Sequence, residues 1–486
     1  MRNRATLPFI LVAVFLACPF ATAAEKPNLI LILADDLGWG DLGCYGHPFF
    51  ETPNLDRLAA EGVRFTSGYA ASCVCSPTRS SIMTGKYPAR NDLTIWLGGS
   101  GGAPAVDHLG LDEVTIAEAL KDGGYATAHI GKWHLGGEPY FPEHQGFDVN
   151  IAGDHTGTPA GGYHLPNRMK LPDMQPGNYL TDRLTDECLG TIDRWHDRPF
   201  FIYMAYHTVH TPIQGRKDLV EYYRQKLKPE DTYNCEYAAM VHCLDENVGR
   251  ILARLEARKL DEKTVVVFYS DNGGFSHSGG KKNNVTTNKP LRRGKGYCYE
   301  GGHREPAIVR YPPLTGKGGV CDVPVITNDL YPTFLELAGL PPRPEQHADG
   351  VSLVPLLADP SGGTIERDTL YWHYPHHSPQ GGTPSGAVRQ GDWKLLEFFG
   401  DGRLELYNLA DDLGETTDLA EQMPDRVEQL HAKLKAWREE VDAKMPPPAE
   451  PPRPPIKTTE SFPGFDALVD VQLEKTERGY ELAAVE

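Results

Sequence analysis

Cys75-Ser76-Pro77-Thr78-Arg79, running on to Thr84-Gly85-Lys86, puts a thiol and a fixed cation four residues apart. Ser76 ahead of Pro77 predicts a helix start, with Ser76 as cap, Pro77 in the first turn and Gly85 as the stop. Cys75 then sits at a helix N-terminus, where unpaired backbone N–H groups and the positive end of the helix dipole favour an anion. Arg79 is one turn further on the same face, so its guanidinium reaches the same anion. The plainer alternative is an inert cysteine buried at a helix start.

Adjacent oxygen-bearing residues, Asp-Asp and Asp-Asn, stand at the ends of two apolar runs. Leu29-Ile30-Leu31-Ile32-Leu33 reads as a strand buried on both faces and ends in Asp35-Asp36. Adjacent carboxylates repel unless a cation joins them. The run Thr264 to Tyr269 repeats the logic and delivers Ser270-Asp271-Asn272-Gly273-Gly274. Asp35, Asp36, Asp271 and Asn272 make an oxygen-only set that suits calcium or magnesium and not zinc; four unrelated caps or turn residues are the alternative. A strand from Tyr125 to Ile130 leads into Gly131-Lys132-Trp133-His134-Leu135-Gly136, with Lys132 and His134 on one side of an extended loop. A strand from Phe200 to Ala205 leads to His207-Thr208-Val209-His210-Thr211-Pro212. From Asn272 to Tyr299 there is no acidic residue, while Lys281, Lys282, Lys289, Arg292, Arg293 and Lys295 accumulate, a local anion attractor or a solvated basic loop.

Six of these motifs, in this order, resemble the type I, formylglycine-dependent sulfatase family, with a likeness to arylsulfatase A and N-acetylgalactosamine-6-sulfatase. The likeness runs from Asp35 to about Asn408-Leu409; Thr78, Lys86, Cys73 and His207 are its departures. It implies that Cys75 is oxidised to Cα-formylglycine by a formylglycine-generating or anaerobic sulfatase-maturing enzyme. It also implies a calcium ion bound by Asp35, Asp36, Asp271, Asn272 and the group at position 75. Lys132, His210 and Lys295 would hold a sulfate, and His134 would contact the formylglycine hydroxyl. The implied reaction is hydrolysis of a sulfate ester at sulfur. The hydrated aldehyde attacks, Asp271 is a candidate base, His210 or Lys295 protonates the leaving alcohol, and His134 takes the proton that releases sulfate. The rivals are a phosphatase or phosphonate monoester hydrolase on the same fold, and a sulfated-glycan binder whose Cys75 stays a thiol.

The resemblance implies an alkaline-phosphatase-like fold, a large mixed α/β sheet flanked by helices. The sequence supplies matching elements. Helices are expected from Pro53 to Gly62, Glu113 to Leu120 and Cys235 to Leu260, with 137–190 mostly long loops. Beyond residue 365, segments Leu370 to Tyr374, Ala387 to Arg389, Trp393 to Phe398 and Leu404 to Tyr407 predict an antiparallel sheet. A helix from Pro424 follows, with Val427, Leu430, Leu434, Trp437 and Val441 on one stripe. The expected division is a signal peptide at 1–23, a catalytic domain at 24–365, a C-terminal subdomain at 366–445 and a proline-rich linker with a polar tail at 446–486. Sugar recognition is expected from loops 91–112, 137–190 and 373–386.

Composition narrows the partners. A net charge of -18 argues against nucleic acid, which needs a basic surface, so a sulfated small molecule or glycan must be attracted by local charge. Met1-Arg2-Asn3-Arg4, an apolar run to Phe20 and Ala21-Thr22-Ala23 describe a secretory signal too short to span a membrane, hence a secreted or periplasmic enzyme. Nine cysteines without zinc spacing leave at least one free thiol or intermolecular link once Cys18 is cleaved off and Cys75 modified.

Overall fold

The computed structural model describes residues 26–165, 168–171, 173–276, 285–316, 318–448, 472–476 and 479–484. The signal at 1–23, Lys281, Lys282 and most of the proline-rich linker lie outside them. The large sheet contains β1 (Asn28–Ala34), β2 (Val63–Tyr69), β3 (Ala126–Gly131), β4 (Val149–Ile151), β5 (Phe200–Ala205), β6 (Thr264–Ser270), β7 (Arg304–Arg310), β8 (Gly319–Cys321) and β9 (Val325–Ile326). Their order is β4-β3-β5-β1-β6-β7-β2-β8, with β9 also pairing with β2. From β4 to β6 all neighbours are parallel, whereas β7 is antiparallel to both β6 and β2.

The unbroken apolar run of β1 follows from its central place. Successive side chains point to opposite faces, and both faces are covered. Ile30, Ile32 and Ala34 enter one core with α1 (Pro53–Glu61), α4 (Leu180–Trp195), α5 (Lys217–Lys226) and α6 (Cys235–Ala257). Leu29, Leu31 and Leu33 enter the other with α2 (Cys75–Thr84), α3 (Ile116–Asp122) and α7 (Leu330–Leu337). A second, antiparallel sheet of β10 (Thr369–Tyr374), β11 (Ser385–Gln390), β12 (Trp393–Phe398) and β13 (Leu404–Asn408) is paired in chain order. Leu430, Leu434, Trp437 and Val441, on and just beyond α8 (Pro424–Glu440), pack into its core, which also takes in Cys73, Val74, Cys298 and Tyr299. The small sheet therefore abuts the segments that carry Cys75 and Lys295.

Several expectations are corrected. Val74, not Ser76, is the extended residue before α2; the helix starts at Cys75, and the Ser76 hydroxyl instead accepts from the Leu97 N–H (3.1 Å). α3 begins at Ile116 because Thr115 and Glu118 form a reciprocal capping box there. The described residues of 137–179 are mostly loop, as expected, but α4 starts at Leu180, where Leu180, Leu184, Cys188 and Ile192 bury one face at four-residue spacing. The strand β7 was not anticipated, since Arg304, Glu305 and Pro306 read as polar and as a breaker; Pro306 falls where the β2 register shifts, between Phe65 and Gly68. In the expected polar tail, 472–476 and 479–484 pair as an antiparallel ribbon. The eight described cysteines are all free thiols, and among the described residues no helix is long and apolar enough to cross a membrane.

The N-terminus of α1 is capped from another helix. The Thr52 hydroxyl is used by Gly43 and Asp56, so buried Asp245 of α6 accepts from the Leu55 N–H (2.7 Å) and Asn54 N–H (3.2 Å). Asp245→Ala should cost roughly 2 kcal/mol by leaving these donors buried and unmet. Asp245→Asn, which keeps an acceptor, should lose less, as measured by denaturant unfolding; equal losses would count against the cap.

Candidate active site

The parallel neighbours β3, β5, β1 and β6 present their C-terminal ends along one edge of the sheet, where ligand sites of open α/β sheets lie. The ladder continues past the strands. Lys132 N–H donates to the Ala205 carbonyl (2.7 Å), Asp35 N–H to Thr208 (3.0 Å), Val209 N–H to Asp35 (2.7 Å) and Asp271 N–H to Ala34 (3.1 Å). This pairing brings residues distant in sequence side by side. Gly131 allows it: its φ is +106°, and a side chain there would run into the Ala205 carbonyl.

The α2 helix brings Cys75 and Arg79 to the same edge. Arg79 is fully buried and committed inward, its Nε and Nη2 donating to Asp271 Oδ2 (2.9 and 2.8 Å) and its Nη1 to the Lys132 carbonyl (2.7 Å). Lys132 Nζ pairs with Asp35 Oδ2 (2.7 Å), and Lys295 Nζ with Asp36 Oδ1 (2.7 Å). The Asn272 amide donates to Asp36 Oδ1 (2.8 Å), and His210 Nε2 is 3.6 Å from Asp36 Oδ2. Cys75 Sγ lies 3.2 Å from His134 Nδ1. Cys75, His134, His210 and Lys295 line a cavity of about 280 Å³. Asp35, Asp36, Arg79, Lys132, Asp271 and Asn272 are buried outside its lining. The cavity walls draw Trp96 and Leu97, Gly157 and Thr158, and Pro379 and Gln380 from three separate loops.

Of the basic residues between 272 and 299, Lys295 alone among those described lines the cavity. Lys289 and Arg293 are exposed, and Arg292 turns toward Tyr299 and Tyr407. His207 is buried, and its carbonyl accepts from Tyr163 and from the His210 N–H, so its backbone shapes the loop.

Burial and charge divide the two aspartates. Burial, reinforced by Asp271, pushes Asp35 up to about 8. Burial acts on Asp36 too, but Lys295, His210 and Lys132 outweigh it and hold its carboxyl well below the usual range. Burial and Lys132 push His134 well below ordinary histidine, and burial and Lys295 bring His210 to about 3, so both imidazoles are neutral. Burial also raises the Cys75 thiol despite Lys132 and Lys295. As a thiol it is protonated and a weak nucleophile.

The donor set fits a hard cation. Asp35 Oδ1, Asp36 Oδ2 and Asn272 Oδ1 are buried without a hydrogen-bond partner, an expensive state for oxygens in a low-dielectric interior. Asp35, Asp36 and His210 bring ligand atoms within 4.8 Å of one another. The nearness of His210 to the carboxylates was not legible in the sequence; its signal is its place just beyond β5, next to β1.

The family model described as "Sulfatase" matches residues 27–340, and the one described as "N-sulphoglucosamine sulphohydrolase, C-terminal" matches 293–441. A sulfatase of Formosa agariphila is 34% identical, covering 85% of this chain and 89% of its own. Human arylsulfatase A is 35% identical, covering 80% of this chain and 78% of its own. The crystal structure of Ps i-CgsB in complex with k-i-k-neocarrahexaose superposes with a TM-score of 0.72 at 29% identity, covering 85% of this chain and 93% of that one. The phosphonate monoester hydrolase of Agrobacterium radiobacter, at 20% identity and a TM-score of 0.61 over 94% of this chain and all of that one, shares the fold. The fold is alkaline-phosphatase-like.

Replacing Arg79 by Met should destabilise the protein by roughly 3–5 kcal/mol, because it strands the Asp271 carboxylate without its partner. Denaturant titration measures this; a loss below about 1 kcal/mol, the range of exposed pairs, would contradict the buried fork.

Proposed function

The chain belongs to the sulfatase family and is a sulfuric ester hydrolase, and from this we propose that it desulfates a carbohydrate through a formylglycine made from Cys75. The carrying observation is that Cys75, His134, His210 and Lys295 line one cavity beside the cluster of partnerless buried oxygens. Asp35, Asp36, Asp271, Asn272 and the group at position 75 would hold calcium, which supplies fixed positive charge to the oxygens of a bound sulfate. A formylglycine at position 75 supplies, when hydrated, a hydroxyl nucleophile that the protonated thiol does not.

The chain's own groups take the remaining roles. Arg79 fixes Asp271 and the Lys132 carbonyl, and so sets where the Lys132 ammonium sits. Lys295 places a cation at the cavity wall, where it draws in an anion in an otherwise acidic protein, and Lys132 pairs with Asp35 behind the wall. His134, neutral and 3.2 Å from the position-75 side chain, is placed to take a proton there. His210 Nδ1 bonds the Thr211 carbonyl (2.8 Å), which requires a proton on Nδ1 and leaves Nε2 bare in the neutral ring. Burial opposes charge on Lys295, but Asp36 and its neighbours raise its pKa, so the ammonium persists. Lys295 and His210, which both line the cavity, are the two candidates for proton donor to the leaving alcohol.

The carbohydrate reading rests on the half-exposed Trp96 at the cavity wall, a surface on which a sugar ring stacks. It also rests on the oligosaccharide bound in the similar structure. Residues 1–23 support export as a secreted or periplasmic enzyme, with 24–365 as the catalytic unit, 366–445 as its companion and a maturing enzyme as the partner that oxidises Cys75.

Cys75→Ala should abolish turnover of sulfate esters while keeping the wild-type melting curve. The Cys75 peptide of active enzyme should weigh less than the thiol form; full thiol mass in a fully active preparation would sink the reading. Sulfated sugars should be cleaved faster than matched phosphate monoesters, the reverse favouring the phosphatase rival. Calcium at about 100 times its Kd should stabilise the chelator-treated protein by roughly 2.7 kcal/mol, and Asp35→Asn should lose most of that gain.

A further inference from the structure

Lys295 sits between Gly294 and Gly296 in a loop that closes where the Gly301 N–H meets the Arg292 carbonyl (3.0 Å). Glycine on both sides gives the loop backbone freedom that has to be removed before an ammonium can be held in one place. Within the large sheet the loop has few anchors: Lys295 N–H reaches the Gly274 carbonyl (3.3 Å) and Gly296 N–H the Cys73 carbonyl (2.8 Å). Its two ends are held from the small-sheet side as well, where Tyr407, Glu405 and Lys394 each meet one end and a single residue reaches both. Glu415, seven residues beyond β13, accepts from Arg292 Nη1 on its carbonyl (2.7 Å) and from the Glu300 N–H on Oε2 (2.7 Å). Arg292 is further fixed by stacking 4.0 Å over Tyr299 and by donating to the Tyr407 hydroxyl (2.9 Å).

The bracket is buried and strained. Glu415, Lys394 and Glu300 are each fully buried. Lys394 Nζ pairs with Glu415 Oε1 and Glu300 Oε1 (both 2.9 Å), and Glu300 Oε2 is bonded by Tyr69 (2.7 Å) and Arg304 (3.1 Å). Glu415 has φ +51°, a left-handed conformation unfavourable for a residue with a long side chain. A hydrophobic isostere would fill this volume without burying charge, so packing alone does not account for a carboxylate here. None of these residues lines the cavity.

We propose that Glu415 is a positioning residue for Lys295: from the segment just beyond the small sheet it clamps both ends of the 292–300 loop and so holds the ammonium beside Asp36 and the cavity. The inference rests on the reading of Lys295 as a group that acts on the substrate. It assigns to the C-terminal sheet a part in the reaction that is separate from stability.

A double-mutant cycle on the matured full-length enzyme tests it, reading kcat/KM on a sulfated sugar. Glu415→Ala should lower kcat/KM roughly 10- to 100-fold, the range for small misplacements of a reacting group. In the Lys295→Ala background it should add less than about twofold. Glu415→Gln, which keeps an acceptor for the Glu300 N–H, should recover most of the wild-type value. Arg292→Met, at the partly exposed end of the clamp, runs the same cycle should Glu415→Ala fail to fold. Full multiplicative losses in the Lys295→Ala background would overturn the clamp and leave only a structural role. Wild-type turnover in Lys295→Ala itself would overturn both the clamp and the site reading beneath it.

Discussion

Buried charge that has to be paired organises this protein. Asp35, Asp36 and Asp271 sit together in the interior, against Arg79, Lys132 and Lys295. Carboxylates so close in a low-dielectric setting are tolerable only if every one is paired, protonated or bound to a cation. Each of the three basic residues takes one aspartate, and still Asp35 Oδ1 and Asp36 Oδ2 have no hydrogen-bond partner among the described residues. What the side chains leave unsatisfied is the shape of the site's chemistry: room for hard positive charge on one side and for an anion on the other.

The rest of the fold follows from holding those groups together. Parallel pairing of β3, β5, β1 and β6 aligns four strand ends, and the backbone ladder carries the alignment into the loops that bear Lys132, Asp35 and Asp271. Parallel strands require crossovers, and the crossover helices cover both faces, hence two apolar cores and wholly buried strands. On the opposite side β7 reverses direction, which lets the 292–303 segment enter the site from beyond the sheet and brings Lys295 opposite Asp36. The small sheet packs where that segment and the approach to α2 meet.

The cavity walls differ in origin from the buried pairs behind them. Trp96, Thr158 and Gln380 come from three loops with no common sheet register to fix them. The buried ion pairs are held by the strands, and the walls of the cavity are not.

The sequence by itself determined the strand ends, since an apolar run such as Leu29 to Leu33 stopping at two aspartates is legible from residue type alone. It also determined the four strands of the small sheet, short apolar segments separated by turns such as Gly391-Asp392, and the stripe of α8, where the apolar spacing is helical. It did not reveal β7, whose Arg304-Glu305-Pro306 start is tolerated only because Glu300, Thr66 and Ser67 meet Arg304 and a register shift accommodates Pro306. Nor did it reveal α4, whose apolar spacing is diluted by threonine and acid. Which residue pairs with which was decided by tertiary structure alone: Arg79 with Asp271, Lys132 with Asp35, Lys295 with Asp36 and His210 near that same aspartate. Charge type is local to a residue, but the partner of a buried charge is chosen by which strands lie next to one another, and that is a property of the folded sheet.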